Sequence, residues 1–317
     1  MQEDAFVLRR PRSFGEVFND TFRFLRLALP VMRPTLLRVI LPLALVASTM
    51  MGGGIGTILG SVFAEASQLM TGSELGLGAW GVLGLVAFIG FLLYVGVLVY
   101  FCAFTFACMK AYDQFGSFDA ITDEQLQKAT WVRFWPLLGY AMLMGVAYFG
   151  LSLLGLIPCL GILIQYAGIA WIMGRWGMAP GAIGVDRVPV TDAFALSNRL
   201  SVANSAFWPT LGVVFLASMI SNLLVMGFLF GPSVLGMMGL AFTGFDFNAD
   251  GMLMGIFLGV VFGLMLCVSL LTYVIPVIAS GMQYAQLNER THHTTLWRDL
   301  DARRDELGLT DPSPAQA

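Results

Sequence analysis

Apolar residues are concentrated in six blocks along the chain, and polar residues collect between the blocks. Each block is long enough to cross a membrane, because a helix of about 20 residues spans the roughly 30 Å hydrocarbon layer of a bilayer. The predicted spans are residues 35–63, 80–109, 136–157, 160–178, 209–235 and 252–273, and the alternative end of the last span is Tyr284, past Pro276. The pattern therefore predicts an all-α integral membrane protein with six transmembrane helices.

Spans three and four are separated only by the segment Ile157-Pro158-Cys159-Leu160-Gly161. Proline and glycine both interrupt helices. A single helix of about 40 residues would also be too long for the bilayer. We therefore predict a tight hairpin at this segment.

The composition agrees with a membrane protein. Of the 317 residues, 57% are hydrophobic and 12% are charged, and the mean hydropathy is +0.79. A chain this apolar cannot bury its apolar surface in one water-soluble core, so membrane lipids are its expected surroundings. The formal net charge of -3 gives no overall basic field, and we expect no nucleic-acid partner.

The basic residues lie on one side of the six-span arrangement. All 17 Lys and Arg residues fall at the N-terminal end of span one, in or beside the connections from two to three and from four to five, or after span six. The charged residues of the opposite connections are all acids: Glu65, Glu74, Asp246 and Asp250. Because short basic connections are retained in the cytoplasm, both termini are predicted to be cytoplasmic.

A surface helix is predicted before each odd-numbered span. Ser13-Phe14-Gly15-Glu16 and Thr122-Asp123-Glu124-Gln125 both read as capping boxes, and Thr191-Asp192 can begin a third helix. After the first box, one helix face is apolar, as expected for a helix in the membrane interface. That face consists of Phe14, Phe18, Phe22, Leu25 and Leu29.

The entries to the odd-numbered spans resemble one another. Residues 133–139 and 206–212 share Phe-Trp-Pro-x-Leu-Gly, and residues 33–37 keep Pro-x-Leu. We predict three repeats of a surface helix plus a transmembrane hairpin. The alternative is that Trp-Pro recurs at membrane edges by general preference.

The predicted organisation has three parts. Residues 1–34 form a cytoplasmic segment with an amphipathic interfacial helix, residues 35–285 form the six-helix membrane domain, and residues 286–317 form a cytoplasmic tail.

Glycines at a spacing of four mark one face of span six, at Gly251, Gly255, Gly259 and Gly263. Such a series lets another helix backbone approach closely. We predict a tight helix contact there. A contact within the chain is favoured over one between two chains, and both stay open.

The predicted spans offer few candidate residues for catalysis or ligand binding. They have no central ionisable residue, which would be the usual sign of a functional site inside a membrane. Gln165, Ser221 and Asn222 are polar, and they are candidates either for helix-to-helix hydrogen bonds or for the lining of a solute path. Asp186 and Asp192 are interpreted as helix-capping and loop residues. No catalytic, cofactor or metal motif is found, so we expect no enzyme and no cofactor.

Arg175 and Trp176 lie at the end of span four, and Arg199 follows in the next connection. One interpretation is a contact site for lipid headgroups or a partner at the inner surface. The alternative is an aromatic and basic anchor that holds the helix end at the interface.

Several segments resemble a bacterial family of six-span membrane proteins. The segments are residues 157–161, Gly174-Arg175-Trp176-Gly177-Met178-Ala179-Pro180 and residues 192–200, together with residues 13–18 and 284–290 at the two ends. The family includes the membrane domain attached to some glycerophosphodiester phosphodiesterases and the YciC-like proteins. The resemblance implies a multi-pass protein of the bacterial inner membrane, without the separate soluble domain that carries the phosphodiesterase activity. The family's strongly basic surface helix corresponds here to Ser197 and Asn198 beside a lone Arg199.

Two functional hypotheses remain, and a third is weaker. The first is a non-catalytic scaffold or accessory protein that engages a membrane or cytoplasmic protein partner, or lipid, at its cytoplasmic face. The alternative is a permease or channel subunit for a small or lipophilic solute. A lipid-modifying enzyme would need clustered acids or histidines at one membrane face, and the outward connections offer only four acids.

Overall fold

The computed structural model describes residues 6–52, 77–118, 121–157, 160–203, 205–242 and 251–292. In these residues the regular structure is helical throughout, which confirms the predicted all-α class. The helices of the described chain are α1 (Phe14–Gly52), α2 (Leu77–Phe115), α3 (Asp123–Leu154), α4 (Leu160–Trp176), α5 (Ala179–Asp186), α6 (Val190–Ala203), α7 (Phe207–Phe242), α8 (Gly251–Thr272) and α9 (Val274–His292).

Five helical segments of the described chain are long and apolar enough to cross a membrane. They are Phe14–Gly52, Gly84–Phe115, Asp123–Leu154, Phe207–Phe228 and Gly259–His292. These segments contain predicted spans one, two, three, five and six, at least in part, and they identify a multi-pass membrane protein. The counterpart of predicted span four is α4, which has 17 residues and is shorter than the other five.

The predicted hairpin between spans three and four is confirmed. Helix α3 ends at Leu154, α4 begins at Leu160, and the two helices pack against each other. Small residues allow the close approach, because Gly168 of α4 lies against the side chain of Leu151.

Two of the predicted surface helices are not separate elements. Helix α1 runs without a break from Phe14 to Gly52 through a π-helical turn at Leu36–Ile40, and α3 runs from Asp123 to Leu154 with Pro136 in its interior. The prediction of a surface helix distinct from its span is therefore wrong at these two places. Only α6 stands apart from the helix that follows it.

The two Phe-Trp-Pro entries also occupy different positions. Pro136 lies well inside α3, whereas Pro209 lies in the first turn of α7. The three-repeat architecture therefore stays a prediction.

Both predicted capping boxes form hydrogen bonds. The Gln125 amide N–H donates to the Thr122 hydroxyl at 3.4 Å, and the Thr122 N–H donates to the Gln125 side chain at 3.3 Å. At the first box the Ser13 N–H donates to the Glu16 carboxylate at 2.5 Å. These contacts satisfy free amide groups at the helix starts.

The chain divides into two compact units. Unit 1 comprises Met1–Pro30, Cys102–Ser218 and Ile275–Ala317, and unit 2 comprises Val31–Phe101 and Met219–Val274.

In unit 1 the short helix α5 is almost fully buried. Its glycines let neighbouring elements come close: Gly184 lies against the ring of Phe106, and a Cβ added at Gly181 would be 2.8 Å from Cβ of Tyr284. Pro180 is in the first turn, where a missing N–H costs little, and Arg187 ends the helix in the left-handed conformation with φ 57°. The connection after α4 is thus part of the core of unit 1.

Helix α9 is also buried, from Val274 to Glu289, and its residues from Ile275 onward belong to unit 1. Residues 286–292, predicted as the start of the cytoplasmic tail, continue this helix, and the predicted domain boundary stays a prediction. The remaining residues of the predicted tail lie outside the described part of the chain.

In unit 2 the glycines of α8 meet α1. A Cβ added at Gly52 of α1 would be 2.5 Å from the carbonyl oxygen of Gly259 and 2.8 Å from the amide nitrogen of Gly263. The two backbones therefore touch within one chain. Gly251 and Gly255 also belong to α8, but their surroundings lie outside the described residues.

Candidate functional site

A network of charged side chains in unit 1 joins segments that are far apart in the sequence. The guanidinium of Arg9 contacts Asp113 of α2 at 3.0 Å and also pairs with Asp186 at the end of α5. Lys110 lies 3.3 Å from Asp113 and 3.4 Å from Asp186, and the Tyr284 hydroxyl of α9 donates to Asp186 at 2.8 Å. The network thus links the N-terminal residues to α2, α5 and α9.

The network favours the charged forms of Arg9 and Asp186. Burial alone would lower the pKa of the Arg9 guanidinium, but Asp186 and Asp113 outweigh burial and raise it. Burial alone would raise the pKa of the Asp186 carboxyl, but Arg9, Tyr284 and Lys110 hold that pKa below its usual value. Removing one partner from a buried ion pair is costly, whereas the intact pair adds little net stability. The network therefore serves mainly to hold one arrangement of unit 1.

A second cluster holds the residues just before α1. The Arg12 side chain is buried and pairs with Asp20 at 2.6 Å, and Arg10 pairs with the same carboxylate at 2.9 Å. Gln286 and Arg290 of α9 donate to the carbonyl oxygen of Arg12 at 2.9 Å and 2.5 Å. The start of the chain is thus bound directly to α9.

Aromatic rings complete this attachment. The Phe6 ring is buried 5.7 Å from the ring of Phe24 and 5.5 Å from that of Tyr112. Residues 6–13, called here the N-terminal arm, are therefore built into unit 1 by apolar, ionic and hydrogen-bonding contacts.

A cavity of about 390 Å³ lies beside the network. Its lining includes Lys110, Arg133, Asp186 and Arg187, together with apolar side chains of α2, α3 and α5. This volume falls in the usual range of small-molecule pockets, about 300–1,000 Å³. The cavity combines cationic groups with an apolar wall.

Arg133 is buried on the cavity wall, with 3% of its surface exposed. Its Nε donates to the carbonyl oxygen of Gly184 at 2.6 Å, and its Nη1 donates to that of Ala129 at 2.9 Å. Within the described part of the chain its second amino group, Nη2, has no hydrogen-bond partner and no carboxylate pairs with this guanidinium.

The structure ties Arg175 and Trp176 to neighbouring helices. Arg175 donates to the Asn198 side chain at 3.4 Å and lies over the Phe207 ring, 5.6 Å from its centroid. Trp176 makes an edge-to-face contact with the Phe194 ring at 5.1 Å. These contacts hold the end of α4 against α6 and the start of α7.

Arg199 lies on α6 and is exposed to the surroundings. Of the three predicted interface residues it is the most accessible to a partner or a headgroup, since the other two are half-buried.

The structure uses the polar residues of the spans in different ways. Gln165 is half-buried with its amide against Gly155 in the α3–α4 hairpin. In unit 2 the Ser221 hydroxyl donates to Thr272 at 2.9 Å, while Asn222 is exposed on the surface of α7. Gln165 and Ser221 thus take part in helix contacts.

The network residues were missed by sequence reasoning. Asp186 was interpreted as a capping or loop residue, and this interpretation is wrong because its carboxylate binds Arg9, Lys110 and Tyr284. One sequence signal existed: Lys110 and Asp113 are three residues apart in a helix, a spacing that suits an ion pair.

The described part of the chain includes no group of three or more His, Cys, Asp and Glu side chains that could hold a metal ion. The described cysteines Cys102, Cys108 and Cys267 are free thiols.

No family model, curated protein or solved structure matches the chain.

Proposed function

We propose that the chain is a non-catalytic scaffold or accessory protein of the bacterial inner membrane. It has six spans and cytoplasmic termini, and it engages a protein partner or lipid at its cytoplasmic face. This proposal includes membership of the six-span family that the sequence resembles.

The length of α4 is compatible with six spans. Its 17 residues are at the lower limit of the roughly 17–25 residues that a membrane helix uses. An even number of spans also returns the chain to the side on which it began, and this agrees with the one-sided basic residues.

The proposal rests on two observations: where the basic residues lie, and which contacts the polar residues of the spans make. Every described Lys and Arg except Arg33 and Arg38 belongs to unit 1, where several of them order the N-terminal arm. By contrast, the polar span residues Gln165 and Ser221 are in helix contacts. The exposed cations of unit 1, among them Lys128, Arg187 and Arg199, can meet a partner.

A permease receives less support from the same residues. A solute path would need polar side chains that converge on a common space. Gln165 packs on Gly155 and Ser221 is bonded to Thr272, so only Asn222 of the three is exposed.

The contact face that we favour for a partner is the exposed side of α6 with the end of α4. Arg199 provides an accessible cation. Arg175 and Trp176 are held in place by contacts with Asn198 and Phe194 of the same helix α6. Rim charges of this kind mainly affect recognition and association rate.

The test is affinity purification of the full chain from native membranes in mild detergent, with identification of copurifying proteins and lipids. We expect a partner in stoichiometric amount. Replacing Arg199 with alanine should reduce its recovery several-fold, whereas the matched control Arg26→Ala, also an exposed arginine, should not. Recovery of a small solute, with no protein partner, would contradict the scaffold.

A further inference from the structure

The cavity beside the charged network has an excess of positive charge. Arg9 and Lys110 are matched by Asp113 and Asp186, so these four groups balance one another. The Asp186 carboxylate is already engaged by Arg9, Lys110 and Tyr284.

Two cations of the cavity are left without a carboxylate. Arg133 is bonded only to backbone carbonyl groups, and Arg187 is exposed with no ion pair in the described residues. Arg133 and Arg187 both line the cavity, and like charges so placed repel each other. An anion in the cavity would remove this repulsion.

The geometry of the donors suits a phosphate. Arginine presents a planar set of N–H groups that matches phosphate oxygens, and Nη2 of Arg133 is unused within the described chain. A phosphodiester or phosphomonoester would supply one to two negative charges, close to the excess carried by the two arginines. The apolar wall on α2, α3 and α5 can hold an attached apolar portion.

We propose that this cavity binds a phosphate-bearing ligand, with Arg133 and Arg187 as its direct contacts and Lys110 nearby. The ligand is either a phospholipid headgroup or a soluble phosphate ester, and the shared chemistry is the phosphate. The inference deepens the proposed function and rests on it, because it gives the scaffold a defined site for lipid or a phosphate signal.

The experiment is a direct titration of the purified full chain in neutral detergent. Phosphatidylglycerol, phosphatidylcholine and glycerol 3-phosphate are added separately, and binding is followed by native mass spectrometry and by the melting temperature. We expect saturable one-to-one binding of phosphatidylglycerol or glycerol 3-phosphate, and at least tenfold weaker binding of phosphatidylcholine, whose headgroup has no net charge. Preference for phosphatidylglycerol identifies a lipid site, and preference for glycerol 3-phosphate identifies a soluble ligand.

Substitutions distinguish binding in the cavity from nonspecific attraction to positive charge elsewhere on the protein. Arg187→Ala should weaken binding about tenfold, because one charged contact is lost, while the exposed Arg26→Ala outside the cavity should leave binding unchanged. Arg133→Gln should weaken binding further. If Arg133→Gln does not fold, the comparison of Arg187→Ala with Arg26→Ala still decides the question.

Two results would overturn the site. One is the absence of saturable binding by both phosphate probes. The other is an equal loss of affinity in Arg187→Ala and Arg26→Ala. A chain that copurifies with a stoichiometric protein but fails this titration would keep the scaffold and lose the phosphate site, so the two proposals fail separately.

Discussion

Asp186 shows why single residues of this site were hard to predict. Its partners Arg9, Lys110 and Tyr284 are 177, 76 and 98 positions away in the sequence. No helical periodicity connects such residues, and only the packing of α2, α5 and α9 with the N-terminal arm brings them together. An acid in a polar connection was therefore indistinguishable from a capping residue.

Replacing Asp186 with asparagine should destabilise unit 1. The change leaves Arg9 and Tyr284 with a weaker acceptor, at a cost of about 1–3 kcal/mol at neutral pH. Thermal unfolding in detergent should show a lower melting temperature than wild type. Asp192→Asn is the matched control, since Asp192 is exposed at the start of α6.

The same pair of proteins should show a defined pH dependence. The pKa of Asp186 is lowered in the folded chain, so its contribution is complete above the unfolded value of about 3.9 and is lost as the pH falls through the folded pKa. The difference in melting temperature between wild type and Asp186→Asn should therefore shrink below about pH 4. A difference that is constant from pH 7 to pH 3 would show that the charge of Asp186 is not responsible.

Among the described glycines of unit 2, Gly52 has the least space for a side chain. Alanine there would place its Cβ against the backbone of Gly259 and Gly263, which cannot move aside as a side chain can. We expect a loss of about 1–3 kcal/mol, seen as a lower melting temperature. Gly227→Ala is the control, because a Cβ at Gly227 meets no atom within 4 Å. Equal stability of the two variants would show that the α1–α8 contact is not tight.

At the scale of the helices, starts were easier to predict than continuity. Thr122 and Gln125 are close in sequence, and the capping box depends only on local geometry. Pro136 was taken as the first turn of a span because proline fits there without cost. A long helix can also carry an interior proline at the expense of one hydrogen bond, and the local sequence does not distinguish these cases.

Thr122→Ala should weaken the start of α3. Loss of the capping hydroxyl costs about 1 kcal/mol. The effect should appear in the melting temperature and as faster amide hydrogen exchange in the first turn of α3. Lys128→Ala, an exposed change within the same helix, should have little effect. Unchanged exchange at Gln125 would contradict a stabilising cap.

At the scale of the whole molecule, the membrane class followed from composition and the length of the apolar blocks. Both are properties of the sequence that no tertiary contact can reverse. The buried N-terminal arm could not be foreseen, because a short basic segment before a span is usually solvated. Its burial depends on Phe6, Arg9 and Arg12 finding partners in α1, α2, α5 and α9.

The arm should be protected from solvent as a result. Peptides that cover residues 6–13 should exchange their amide hydrogens slowly, and Arg9→Ala should accelerate this exchange by removing the link to Asp113 and Asp186. Hydrogen-exchange mass spectrometry in detergent measures both. Rapid exchange of the arm in the wild-type chain would contradict its place in unit 1.

Paired reporter fusions test most directly whether the chain has six spans and presents its charged residues to the cytoplasm. A fluorescent protein and alkaline phosphatase, which are active on opposite sides of the inner membrane, are placed in turn after Ala317 and within the hairpin at Ile157. We predict cytoplasmic reporter activity after Ala317 and periplasmic activity at Ile157. A periplasmic C-terminus would contradict the six spans, because α4 would then fail to cross the membrane.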